Sequence, residues 1–394
     1  SQQQYGFRSG HSVEAQLLSS LEEWTAALDK GYCVDVLYMD FQKAFDTVPH
    51  AKLIQKLAAL GIRGKLLSWI RSYFMDRKQA VKIGSKLSRW RDITSGVPQG
   101  SVLGPLFFIL FINDLVELLP AGVTIKLYAD DAKIYVIYKP GSWTPLLQQA
   151  ISVLERWTLD WGLRLAVVKC LLLFLGRLNA KHVYTAFDNP LTHVKVVKDL
   201  GILITEDLSW FSHISNIASK ASKRANAIFK AFTYSNFEML ARAYVTYIRP
   251  VLESASVVWC PHLVQEKRLL ESVQRRYSKR IFLRCGMPVP SYEERLQVLG
   301  WTTLEARRAQ ADLCLVFSAL KGFTAGVGNI LPLASDRFHL RGNHTRLKGS
   351  FARLDLRKFF FKNRVIDKWN RLETSIDNFS TTKSFKLYLS NQYK

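Results

Sequence analysis

Two short β-forming runs, Val123 to Tyr128 and Lys133 to Tyr138, are separated only by Ala129, Asp130, Asp131 and Ala132. So tight a connection commits the chain to an antiparallel hairpin. Two adjacent carboxylates in a turn are tolerated in water and costly when buried unpaired, so by themselves they read as an ordinary exposed turn. A third carboxylate changes the reading. Cys33 to Met39 is another short β-rich run bounded by polar residues, the pattern of a buried strand, and Asp40 stands at its end. If that strand and the hairpin are neighbours in one sheet, Asp40, Asp130 and Asp131 converge at its edge. Hard oxygen ligands of this kind suit Mg²⁺, which binds through a few carboxylates plus substrate phosphates. Two such ions ~3.5–4 Å apart can activate a 3′-hydroxyl and stabilise a leaving pyrophosphate. The chemistry is phosphoryl transfer by positioning and charge stabilisation.

The rest of the first half alternates helices and strands. Ser12 is placed to cap a helix running from Val13 through Leu21 to Leu28, which Gly31 ends. Asp46 or Thr47 can cap the next helix, with Pro49 in its first turn. A helix over 65–74 follows, then a hairpin through Gly84-Ser85 within Val81 to Ile93. An apolar helix starts near Val102, an amphipathic one spans Leu146 to Trp161, and strands are expected at Leu171–Leu175 and Leu200–Ile204. From His213 helical periodicity takes over and the charge turns strongly positive. Across 394 residues, 55 basic side chains face 32 acidic ones, a formal +23, and such an excess is best tolerated beside a polyanion. Nucleic acid is the leading partner and an anionic membrane surface the second. The five cysteines form no CxxC pair and no zinc-finger spacing, which reads as buried reduced thiols. Ser1 to Arg8 lacks the apolar stretch of a signal peptide, and the longest apolar run, Val102 to Ile112, falls short of the ~20 residues of a membrane span. The expectation is a soluble intracellular protein of two or three domains, α+β in class and mainly helical in its second half.

The segment Tyr38-Met39-Asp40-Phe41-Gln42-Lys43-Ala44-Phe45-Asp46-Thr47-Val48 resembles the first palm motif, Asp-x-x-Lys-Ala-Phe-Asp, of the reverse transcriptases of non-LTR retrotransposons, in particular the jockey/CR1-like group. The resemblance implies that Asp40, with Asp130 and Asp131, is catalytic and ligates two Mg²⁺ ions, Mn²⁺ being able to substitute. Asp46 is left as a helix cap. Phe45 corresponds to the family's steric gate, an aromatic ring beneath the sugar with no room for a 2′-hydroxyl; an isolated Phe at that place would read as core. Phe41 and Ala44 fall in the same substrate-binding stretch. Ser95-Gly96-Val97-Pro98-Gln99-Gly100-Ser101-Val102-Leu103-Gly104-Pro105 is similar to the family's Gly-x-Pro-Gln-Gly-Ser-x-Leu-Gly-Pro loop, whose glycines let backbone approach nucleotide and template. That assigns Gln99 and Gly100 to the incoming nucleotide. Tyr128-Ala129-Asp130-Asp131 has the form typical of reverse transcriptases, whereas RNA-dependent RNA polymerases more often carry Gly-Asp-Asp; an RNA polymerase is thereby disfavoured. Trp157 to Lys169 resembles the fourth palm motif, with Lys169 the candidate general acid for pyrophosphate or else a plain surface lysine; an Asn often found three residues before that Lys is Ala166. Val197 to Ile202 resembles the primer grip, which places Leu200 and Gly201 at nucleic acid.

Further segments, Tyr247 to Glu253, Val258 to Pro261 and Glu271 to Arg276, look like the family's thumb, and the likeness extends to Tyr292–Leu296 and Val365–Asn370. The implied architecture is a right-hand polymerase palm, an antiparallel sheet with helices, carrying partial fingers over 1–212, a helical basic thumb over 213–286 and a C-terminal basic helical region over 287–394. Lys220, Lys223, Arg224, Arg275 and Arg276, interleaved with Tyr244, Tyr247, Trp259, Tyr277 and Phe282, fit phosphate contact plus base stacking; they fit equally an amphipathic bundle with a basic exterior. The implied partners are an RNA template, a DNA primer and dNTPs, with no membrane, and the implied location is the nucleus. The family usually carries finger segments before Gly6-Phe7-Arg8-Ser9-Gly10, and often an apurinic-type endonuclease domain. A chain opening inside the fingers is expected either to polymerise, with Arg8 touching substrate or template, or to be a truncated nucleic-acid-binding remnant. The Arg337 to Arg371 segment has no assigned role.

Overall fold

In a computed structural model that describes residues 1–333 and 345–392, Cys33–Met39 (β1) is a strand at the positions its pattern predicts. It is the centre of the main sheet. Val123–Tyr128 (β2) and Asp131–Tyr138 (β3) form the acidic hairpin, and β3 lies antiparallel to β1, with Cys33 opposite Tyr138 and Met39 opposite Ala132. Leu171–Leu175 (β4) flanks β1 on its other side, and the two-residue Thr192–His193 (β5) adds in parallel, for the order β5-β4-β1-β3-β2. One face is apolar at period two: Leu37 and Met39 of β1, Ile134 and Val136 of β3, Leu172 and Phe174 of β4. It packs against Leu103–Ile112, through Phe107, Phe108 and Phe111, and against Leu146–Trp161, through Leu147, Ile151, Leu154 and Trp157. This is the α+β class expected.

Asp35 lies on the same apolar face and is fully buried. Three donors satisfy its carboxylate: Tyr138 Oη at 3.0 Å, Tyr184 Oη at 2.6 Å and Asn179 Nδ2 at 2.7 Å. Burial, and the carboxylate beside them, push both phenols well above their ordinary range, so they stay donors. A buried carboxylate with all its partners inside the fold is structural.

The described chain divides into two compact units, Ser1–His11 with Gly31–Lys195, and Ser12–Lys30 with Val196–Lys394. The second opens with Val13–Asp29, capped by Ser12, whose Oγ accepts from the Ala15 N–H at 3.1 Å. Its hairpin joins Val196–Asp199 (β6) to Ile202–Thr205 (β7), so Leu200 and Gly201 are the turn and not the start of a strand. Both take positive φ, 45° and 91°, a two-residue hairpin turn that twists with its strands. Helices Phe211–Ala231, Val264–Arg284 and Leu304–Leu320 dominate the remainder. Among the described residues no helix is long and apolar enough to cross a membrane. Cys33 and Cys170 are buried thiols, while Cys260, Cys285 and Cys314 are free and half-buried. Arg337 lies outside the described residues.

Candidate active site

Strand register decides where the carboxylates stand. Since Met39 pairs with Ala132, Asp40 leaves the sheet beside the β2–β3 turn. Its backbone is then held by a second short pairing: the Ala166 N–H donates to Asp40 O and the Gln42 N–H to Arg164 O, both at 2.8 Å. That pairing delivers Lys169, whose Nζ lies 3.7 Å from Asp40 Oδ2 and whose side chain is 68 % exposed.

The turn consists of Ala129 and Asp130, and Ala129 alone has positive φ, 58°, where a turn of this sign pattern ordinarily takes glycine. A feature invisible in the motif holds it. Gln4 is buried, and its Oε1 accepts from the Gly6 N–H at 2.8 Å and the Ala129 N–H at 3.0 Å. The N-terminal segment adds to β2, Tyr5 N–H donating to Leu127 O and Leu127 N–H to Gln3 O, each at 2.9 Å. Gly6 is required at this approach, because a Cβ there would stand 2.5 Å from Ala129 N. Arg8 donates to Ser1 O at 2.6 Å and Gln4 O at 3.0 Å, so it ties this segment together. No pattern in the sequence separates Gln4 from the glutamines before it; its role comes from burial alone.

Asp130 is half-buried, and burial pushes its carboxyl above the ordinary range, with the charge of Asp40 adding to the rise. Asp40 and Asp130 are therefore close enough to repel. Asp131 opens β3 with an exposed side chain, and among the described residues no group of three or more His, Cys, Asp and Glu is arranged to hold a metal. The register that sets Met39 against Ala132 brings Asp131 to the position next along from that pair, at the same sheet edge as Asp40, with Asp130 in the turn beside it. The Asp40–Asp130 pair fits a hard divalent cation: its repulsion is what such an ion relieves, and substrate phosphates and water supply the remaining ligands.

Phe41 and Ala44 are buried, Phe41 against Trp157, so what they offer a substrate is backbone. Phe45 is half-buried, with one ring face stacked on Phe108 at 4.4 Å and 18°. Asp46 caps nothing. It lies within the single turn Ala44–Thr47, while His50–Ala59 starts from Pro49, and the Asp46 carboxylate accepts from Gln99 Nε2 at 2.7 Å. Pro49 itself occupies the N-cap position, and no side chain caps this helix. The 95–99 loop is clamped to the first motif by Gly96 N–H donating to Val48 O at 2.8 Å and Val97 N–H to Phe45 O at 2.7 Å. Gln99 and Asp46 line a cavity of about 690 Å³ together with Lys43, His50 and Arg77. Gly100, φ 77°, is exposed, with open space beside its Cα.

In the second unit Lys220, Lys223 and Arg224 are exposed on Phe211–Ala231, and Arg275, Arg276 and Lys279 on Val264–Arg284. Four of the five aromatics among them are turned inward. Tyr244, Trp259, Tyr277 and Phe282 are buried core, because the period that spaces the arginines on one face turns these rings to the other; Tyr247 alone of the five is exposed. Arg280 donates to Asn226 Oδ1 at 2.6 Å, and Arg284 Nη2 to Phe229 O at 2.9 Å, so both tie helix to helix. The helices form a bundle with a basic exterior, whose exposed cations remain free to meet phosphate.

Residues 1–204 match the family described as reverse transcriptase (RNA-dependent DNA polymerase). The chain belongs to that family, and within it to the non-LTR retrotransposon type. It is 26 % identical over 317 residues to the RNA-directed DNA polymerase from mobile element jockey of Drosophila funebris, covering 75 % of this chain and 34 % of that protein. With the jockey polymerase of Drosophila melanogaster it shares 30 % over 223 residues, 54 % of this chain and 24 % of that one. The chain thus spans about a third of the length of the first relative and a quarter of the second. Among solved structures, the telomerase from Candida albicans in complex with a TWJ fragment of telomeric RNA aligns at TM-score 0.46 and 14 % identity, covering 75 % of this chain and 48 % of that one. Polymerases of this family use divalent metals and bind a nucleic-acid template.

Proposed function

We propose that the first unit is the polymerising centre of an RNA-directed DNA polymerase, which joins a dNTP to a DNA primer 3′-hydroxyl on an RNA template. The observation that carries this reading is the Asp40–Asp130 pair, two mutually repelling carboxylates set by strand register at one sheet edge. In it, Asp40, Asp130 and Asp131 would hold two Mg²⁺ ions, with Mn²⁺ able to substitute. Bound there, the ions supply activation of the 3′-hydroxyl and neutralise charge on the leaving pyrophosphate. Lys169, beside Asp40, keeps a proton within reach of that pyrophosphate. The Phe45 ring, braced by Phe108, excludes a 2′-hydroxyl from the sugar site. Gln99, Gly100 and the backbone of Phe41 and Ala44 contact the incoming nucleotide; Leu200 and Gly201 contact the primer. As in a non-LTR element, the reaction is target-primed and nuclear.

Primer extension on an RNA template with dNTPs and Mg²⁺ tests this. The chain should extend, and Asp130→Asn should lose roughly 10²-fold or more, since the pair's charge stabilisation is of the order of several kcal/mol. Absent extension by the unaltered chain, or equal extension by the variant, overturns catalysis.

A further inference from the structure

The second unit contains a buried cation whose hydrogen-bonding atoms the fold leaves unused. Arg308, on Leu304–Leu320, is 2 % exposed, yet both its Nη atoms lack a hydrogen-bond partner. A buried guanidinium without partners is among the most costly groups a protein can hold. The carboxylates nearby are engaged elsewhere. Asp312 takes two bonds from Arg364, Nε to Oδ2 at 3.0 Å and Nη2 to Oδ1 at 2.8 Å. Glu305 is paired with Lys267 at 2.7 Å. Its carboxyl is lowered by that bond first, with Arg308 and Lys368 adding to the same effect, so three cations crowd one carboxylate.

Arg308 lines a cavity of about 730 Å³, a volume in the range of small-ligand sites. Lys358 and Lys368 line the same cavity, both exposed. An aromatic element lies beside the charge: His262 and Phe359 are stacked at 4.4 Å and 7°, and Phe351, 93 % exposed, also lines the cavity. Lys267, Arg308, Lys358 and Lys368 outnumber the two carboxylates of the lining, Glu305 and Asp367; an excess of cations calls for phosphate, and an open aromatic face beside them calls for a base. A duplex keeps its bases stacked on each other, so the occupant is single-stranded.

We propose that this cavity binds one nucleotide of a single nucleic-acid strand, its phosphate held by Lys368 with the buried charge of Arg308 behind it, and its base laid on Phe351. The site is separate from the polymerising centre and does not depend on that centre being active.

The probe is a nucleoside 5′-monophosphate added to the full chain in EDTA, which removes any divalent-metal contribution from the palm. Binding is read by calorimetry and by thermal shift. Ribo- and deoxyribonucleotides are run in parallel to tell RNA from DNA, and a short single strand is compared with its duplex. The mononucleotide should bind, raise the Tm and outcompete inorganic phosphate, and the single strand should compete for the site better than the duplex. Phe351→Ala and Lys368→Ala, both at exposed positions, should each weaken binding roughly 5-fold or more. Arg308→Met should weaken it as well while leaving the free protein as stable or more so, since a buried unpaired cation is removed. No mononucleotide binding overturns the proposal, as does binding unchanged in the Phe351 and Lys368 variants. Equal competition by inorganic phosphate reduces the cavity to an anion site and overturns the nucleotide assignment. A fall in the Tm of free Arg308→Met would mean that the arginine serves the fold instead.

Discussion

Ala129 is the residue on which the geometry of the polymerising centre turns. A non-glycine at φ 58° costs roughly 1–2 kcal/mol, and it is kept there because Gln4 accepts its N–H while Gly6 lets the N-terminal segment come close. Gly6→Ala therefore attacks the turn without touching a carboxylate. Its Cβ would meet backbone at 2.5 Å, so the segment or the turn must move. The expected stability loss is about 1–3 kcal/mol. The expected loss of primer extension is larger than that implies, about 10-fold or more, since a displacement near 1 Å of a reacting group costs on the order of 10²-fold. Thermal melts and extension rates of the same preparation check this, and extension falling no further than the folded fraction would sink it. At this scale Asp40 and Asp130 were legible, since both sit where a β pattern stops and both belong to motifs with several fixed neighbours. Gln4 was not, because nothing local distinguishes a buried amide from an exposed one.

At the scale of elements, helix Phe211–Ala231 and hairpin β6–β7 meet at His213. The His213 Nδ1 accepts from the Leu203 N–H at 3.3 Å, Nε2 is buried without a hydrogen-bond partner, and Trp259 lies 5.3 Å from the ring. Burial lowers its pKa from 6.5 to about 4. Protonation would put a hydrogen on the accepting nitrogen and break the tie to β7. Between pH 6.5 and about 4 the unfolded chain binds a proton that the folded one refuses, so stability falls as pH falls through that window. The slope is at most roughly 1.4 kcal/mol per pH unit, and stability is insensitive to this group above the window. Urea melts across the window should show that slope in the parent, and His213→Gln should flatten it; an unchanged slope assigns acid sensitivity to other groups. Element types were readable because each has one period: β1, β4 and Leu146–Trp161 fall at their expected bounds. Boundaries set by turns were less so. Leu200 reads as a strand former until its φ of 45° makes it a turn residue, and Asp46 reads as a cap until Gln99 claims its carboxylate.

At the scale of the whole chain, the formal charge of +23 needs a counterpart, and the second unit shows how it is presented. Helices Phe211–Ala231 and Val264–Arg284 bury Phe229, Tyr277 and Phe282 and face outward with Lys220, Lys223, Arg275 and Arg276. Chain order does not reveal that Val13–Asp29 belongs to this unit, because an amphipathic pattern announces a partner without saying which. Here Arg357 identifies it, donating through Nη1 and Nη2 to the Glu22 carboxylate at 2.6 and 2.8 Å. With four of the five aromatics buried, the affinity we propose for the bundle face towards nucleic acid rests mainly on phosphate contacts, each releasing counterions. The logarithm of its binding constant should then fall linearly with the logarithm of salt concentration, by roughly 0.7–0.9 per phosphate contacted. Replacing Lys220, Lys223, Arg275 and Arg276 together by glutamine should lower the slope by about 3 if each contacts a phosphate. It should weaken binding by the same factor for every template sequence, since phosphates carry no sequence. Titrations of a primer–template hybrid at several salt concentrations measure both quantities. A slope unchanged in the quadruple variant would show that these four charges are only the solvated outside of the bundle, and would move the grip on nucleic acid to other basic surfaces of the chain.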